Sequence, residues 1–77
     1  MDRQNLIGMA NRIGDFFAAM PEREEALLGI ANHLRNFWEP RMRRQLLDYV
    51  DGGQCGELRP IVLDAIAAHH RKLRVQQ

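Results

Sequence analysis

The sequence predicts an all-α fold, a small compact bundle of about four helices with no strands. Three observations carry this. Apolar residues recur at three- and four-residue steps along most of the chain, the spacing of one helix face. Alternating polar and apolar runs are missing, and β-branched residues are scarce. The periodic stretches are joined by short connections carrying Pro or Gly, which favour antiparallel neighbours.

The first helix is expected over about residues 2–19. Asp2 is suited to an N-cap, and Leu6, Met9, Ala10, Ile13, Phe16, Phe17 and Met20 share one face. Pro21 then restarts the chain. A second helix over about 22–38 opens with Glu22, Glu24 and Glu25, where acids complement the positive end of the helix dipole. Its apolar face is Ala26, Leu27, Ile30, Ala31, Leu34, Phe37 and Trp38, and it should form a hairpin with the first across Met20-Pro21. Pro40 stands where a third helix begins, because a proline in the first turn removes an N–H that had no partner. That helix, about 41–50, uses Met42, Leu46, Leu47 and Val50. Asp51-Gly52-Gly53-Gln54-Cys55-Gly56 is the one clear loop, its glycines suiting a left-handed helix end. The fourth helix, about 57–73, sets Leu58, Ile61, Val62, Ala65, Ile66, His69 and Leu73 on one side, with Pro60 tolerated in its first turn.

Two details constrain the packing. Gly8, Gly14 and Gly29 lie inside helical patterns, each costing about 1 kcal/mol relative to alanine, a cost that close approach of helix backbones would offset. The aromatics are doubled, as Phe16-Phe17 and Phe37-Trp38. Neighbouring residues on a helix point roughly 100° apart. One ring of each pair is therefore a candidate for the edge of the core stripe and for contact with another chain; a broad stripe burying both is the alternative.

Bulk properties bound the function. Seventy-seven residues make one small domain with a thin stability margin. The single cysteine, Cys55, can form no internal disulfide and cannot by itself build a cysteine-ligated cluster. No twenty-residue apolar run is present, and the first residues lack the pattern of a secretion signal, so a cytoplasmic location is expected. The formal charge of +1 is too small for a dedicated nucleic-acid binder, although residues 1–40 are net acidic and residues 41–77 net basic.

No catalytic constellation emerges. His69 and His70 are adjacent and diverge on a helix, and His33 is distant in sequence. Cys55 has no histidine near it in sequence, and the glycine loop lacks the lysine of a phosphate-binding loop. A core of this size leaves little room for an enclosed substrate pocket. The expectation is a binding protein or subunit, with no catalytic, metal or cofactor site of its own. Arg41, Arg43 and Arg44 form one basic cluster, and His69, His70, Arg71, Lys72 and Arg74 a second. These keep open the alternative of a small helical nucleic-acid-binding or homodimeric regulatory protein.

The segment from Phe37 to Arg44 places the only Trp and a Phe against a proline and three arginines, the composition of a binding hot spot. Two longer motifs surround it. Met9-Ala10-Asn11-Arg12-Ile13-Gly14-Asp15-Phe16-Phe17 is followed by Ile30-Ala31-Asn32-His33-Leu34-Arg35-Asn36-Phe37-Trp38-Glu39-Pro40-Arg41-Met42-Arg43. Together they resemble the delta subunit of NAD-dependent, molybdenum- or tungsten-containing formate dehydrogenases. The likeness covers residues 5–50 well and extends more loosely into the last helix. The departures are small: Glu39 in place of an Asp, and Asn36 in place of a common basic residue.

The resemblance implies a small, helical, non-catalytic chain that serves the assembly or stability of a soluble multi-subunit enzyme. The bis-molybdopterin guanine dinucleotide, iron–sulfur clusters, FMN and NAD would belong to the partner subunits and none to this chain. The expected partner-binding residues are His33, Arg35, Phe37, Trp38, Pro40, Arg41, Met42 and Arg43. Trp38 would supply apolar area and the arginines would pair with anionic groups. The competing reading is that Trp38 lies in the core and Arg41 or Arg43 pairs with Glu39 or a helix C-terminus. Self-association of the isolated chain is also left open.

Overall fold

The computed structural model describes residues 2–53 and 56–74. Gln54 and Cys55, expected in the glycine loop, lie outside the described residues. Five helices follow one another: α1 (Arg3–Phe17), α2 (Arg23–Phe37), α3 (Pro40–Asp51), α4 (Pro60–Ala68) and α5 (His70–Leu73). The fold is all-α, with no strand among the described residues.

Three of the helix starts have a local cause. Asp2 caps α1, its carboxylate accepting from the Gln4 N–H at 2.7 Å. Two of the other starts are set by proline. The residue before a proline is pushed out of the helical region, and both Glu39 (ψ 147°) and Arg59 (ψ 144°) are extended. Helices α3 and α4 therefore begin at Pro40 and Pro60. This corrects the expected fourth helix at its front: residues 57–59 are not helical. It is corrected again within, because the chain leaves the helical conformation at His69 (φ −125°, ψ 29°) and α5 is a separate turn. At the end of α3, Gly53 takes a positive φ of 78° just past the Gly52 cap, the left-handed ending that glycine adopts without penalty.

Helix α2 is the centre of the packing, touching all four other helices and α4 most of all. Leu6, Ile30, Leu34, Leu46, Val62, Ile66 and Leu73, drawn from every helix, are fully buried, and Ala10, Ala26, Ala31 and Ala65 keep the helices close. Glycine supplies the two tightest approaches. A Cβ on Gly14 would stand 2.5 Å from Val62 Cγ2, and one on Gly29 2.5 Å from Phe17 Cε1. Gly8 meets no such constraint; its Cβ would have a nearest neighbour at 3.9 Å.

Candidate partner interface

The first motif builds the fold. Ala10 is in the core. The Asn11 side-chain amide donates to the Glu57 carbonyl at 3.0 Å, and its oxygen accepts from the Arg59 N–H at 2.8 Å, so one side chain clamps the extended segment 57–59 onto α1. Asp15 pairs with the Arg59 guanidinium at 3.1 Å, and Arg3 with Glu57 at 3.7 Å. Gly14 admits Val62, and Phe17 fills the notch left by Gly29. Only Phe16, 74% exposed, points to solvent as a large apolar group.

The second motif divides between interior and surface. Ile30, Ala31 and Leu34 are core, and so is Trp38, which is 6% exposed. The expectation that Trp38 offers its face to a partner does not fit this burial: the indole closes the α2–α3 corner from inside. Its neighbour Phe37 points the other way and is 75% exposed. Thus one ring of the pair enters the core and the other is displayed, a division that the 100° step between neighbours allows. Pro40 opens α3, and Met42 packs at the edge of the core.

Arg43 is half-buried and spans two helix ends. Its Nε donates to the Leu73 carbonyl and its Nη1 to the Arg35 carbonyl, each at 3.0 Å. Both carbonyls belong to last turns, where backbone acceptors lack helical partners. Arg41 is exposed and has no ion-pair partner among the described residues.

Two surface features result, on either side of the α2 C-terminal turn. The first is a row of aromatic rings across α1 and α2. Phe16 meets Phe17 edge-on with centroids 5.1 Å apart, Phe17 meets His33 at 6.4 Å, and His33 lies against Phe37 at 4.8 Å. A shallow, mainly apolar depression of about 300 Å³ opens beside it, lined by Arg12, Ile13, Phe16, Phe17 and His33. The second is an open cleft of about 870 Å³ lined by Arg35, Arg43, Ala68, His69, Arg71, Lys72 and Arg74. It unites Arg43 with the C-terminal basic cluster; Arg41 is outside it, and Arg44 lines a smaller depression with Asp48 and Asp51.

Of the expected interface residues, His33 and Phe37 join the aromatic row, Arg35 and Arg43 join the basic cleft, and Pro40, Met42 and Trp38 shape the corner between them. No sequence signal shows that Arg35, in α2, and Arg71, in α5, share one cleft; they are 36 positions apart and meet only through tertiary packing.

Taken together, the fold and its surface define a class: a small all-helical protein whose distinctive exposed groups are rings and cations arranged around one helix end. Among the described residues no helix is long and apolar enough to cross a membrane. The sequence model of the NADH-dependent formate dehydrogenase delta subunit family, FdsD, matches residues 5–66. The chain belongs to that family, and as such is a delta subunit of a formate dehydrogenase complex. No curated protein and no solved structure matches it.

Proposed function

We propose that this chain is a non-catalytic small subunit or assembly factor of a soluble NAD-dependent formate dehydrogenase, held to the catalytic complex by the corner between α2 and α3. The observation that carries this reading is the exposure of Phe37 beside a buried Trp38. Leaving a phenyl ring in water forgoes roughly 1.5–3 kcal/mol of burial, which contact with a partner would recover. His33, packed on that ring at 4.8 Å, fixes its position. Arg35 and Arg41, both exposed, supply cations at the rim, suited to carboxylates on the partner. Trp38, Pro40, Met42 and Arg43 hold the corner in shape. The molybdenum or tungsten centre, iron–sulfur clusters and flavin belong on this reading to the partner subunits.

Co-expression of the tagged chain with the other formate dehydrogenase subunits tests it. Phe37→Ser should abolish co-purification while the melting temperature of the isolated chain stays within a few degrees of the parent. Complex formation undiminished by Phe37→Ser and by Arg41→Glu would overturn docking through this corner. Stoichiometric co-elution of the parent chain with active enzyme marks a resident subunit. Recovery only with cofactor-poor catalytic subunit marks an assembly factor.

A further inference from the structure

The cleft between the C-terminal turn of α2, the start of α3, and α5 is the least expected feature of the molecule. The chain as a whole is nearly neutral, with a formal charge of +1. Yet five of its eleven Lys and Arg residues line this one cleft, together with His69, and no carboxylate of the described residues lines it. Acids elsewhere are used to pair cations: Arg3 with Glu57, Arg23 with Asp64 and Arg59 with Asp15, while Asp51 lies against the His70 imidazole. Within the cleft the partners are neutral. Arg43 donates to two backbone carbonyls and Lys72 to the Asn32 side-chain oxygen at 3.2 Å. Arg35, Arg71 and Arg74 are exposed and have no ion-pair partner among the described residues.

Helix C-termini account for part of this charge, since the ends of α2 and α5 both reach the cleft and attract cations. That accounts well for Arg43. Arg35 and Arg71 also stand in last turns, where the dipole favours them, but their guanidinium groups and that of Arg74 make no hydrogen bond to those carbonyls among the described residues, so their donors are left for a ligand.

We propose that this cleft is a binding site for a ligand bearing a diphosphate group. Guanidinium forks match phosphate oxygens bidentately, and a diphosphate concentrates two or more negative charges within the reach of several such forks. The cleft volume of about 870 Å³ accommodates a nucleoside diphosphate. Its concavity and the arrival of cations from three elements favour a compact polyanion over an extended acidic peptide, whose charges are spaced along a backbone. The site stands on this chain alone; it shares Arg35 with the docking face proposed above, and Arg71, which belongs to the cleft only, separates the two.

Calorimetric titration of the full 77-residue chain with inorganic pyrophosphate and with ADP tests the proposal, using an eight-residue oligoglutamate peptide and a short DNA single strand as comparators. The expected result is one-to-one binding of pyrophosphate and ADP, weakened roughly tenfold or more by either Arg35→Ala or Arg71→Ala, as removal of a charged hydrogen-bond donor implies. Both side chains are exposed and make no internal hydrogen bond among the described residues, so melting curves should be unchanged and a loss of binding reads the site rather than the fold. Absence of binding, or binding indifferent to both substitutions, overturns the proposal. So does tighter binding of the peptide or of the DNA than of ADP, which would reassign the cleft to a protein or nucleic-acid partner.

Discussion

Arg43 shows how a residue that reads as a contact group can serve the interior. Its guanidinium satisfies carbonyls at the ends of α2 and α5 from the first turn of α3, so three elements meet at one side chain. A hydrogen bond from a charged donor contributes about 1.5–3 kcal/mol, and Arg43→Ala loses two, one partly buried at Leu73 and one exposed at Arg35. Thermal unfolding of Arg43→Ala should show a loss of about 2–3 kcal/mol, whereas Arg41→Ala, two residues away and exposed, should fall within about 0.5 kcal/mol of the parent. The aromatic pair divides in the same manner. Trp38→Ala should cost about 3–5 kcal/mol, the range for emptying a core site of that size, enough to unfold much of a chain this small. Phe37→Ala should leave the stability nearly unchanged. The 100° step between neighbours made one ring of Phe37-Trp38 a candidate to leave the core stripe, with a broad stripe burying both as the alternative. It did not show which, because that depends on where α3 returns against α2.

At the scale of elements, the helices were legible wherever periodicity and proline agreed. The front of α4 was also legible in principle, since Arg59 precedes Pro60 and such a residue is extended. The break at His69 was not. Ala67, Ala68, His69 and His70 carry no breaker, and the apolar pattern runs on to Leu73. What ends α4 is tertiary: Leu73 is fully buried and its carbonyl meets Arg43. The internal glycines were read as points of close approach, and the structure separates them. Gly14→Ala drives a methyl to 2.5 Å from Val62 Cγ2 at the α1–α4 contact. Overpacking there costs about 1–3 kcal/mol and outweighs the ~1 kcal/mol gained in helix propensity. Gly8→Ala meets nothing closer than 3.9 Å and keeps that gain. Denaturant unfolding should therefore place Gly8→Ala about 0.5–1 kcal/mol above the parent and Gly14→Ala below it. Stabilisation by both substitutions would show that α1 and α4 can part without loss.

At the scale of the molecule, the question is what covers the aromatic row when no partner is present. Phe16 and Phe37 are both about three-quarters exposed, the two rings are linked through Phe17 and His33, and the chain carries a net charge of only +1. Low net charge does little to keep copies apart. Self-association through the row is the expected consequence, but it should be weak. An aromatic side chain buries roughly 150–250 Å², so two rings fall well short of the ~800 Å² per partner typical of a stable interface. Sedimentation equilibrium should accordingly show a monomer at low micromolar concentration and a rising average mass toward the millimolar range. The double substitution Phe16→Ser, Phe37→Ser should hold the chain monomeric throughout with its melting temperature preserved. A tight dimer at micromolar concentration would mean that a larger surface than this row is involved, and a dimer insensitive to the double substitution would place the contact elsewhere. On the docking proposed above, the same arithmetic makes the enzyme the better occupant, because a larger partner can cover the row and the neighbouring cations together, which a second copy presenting the same cations would have to do against their repulsion.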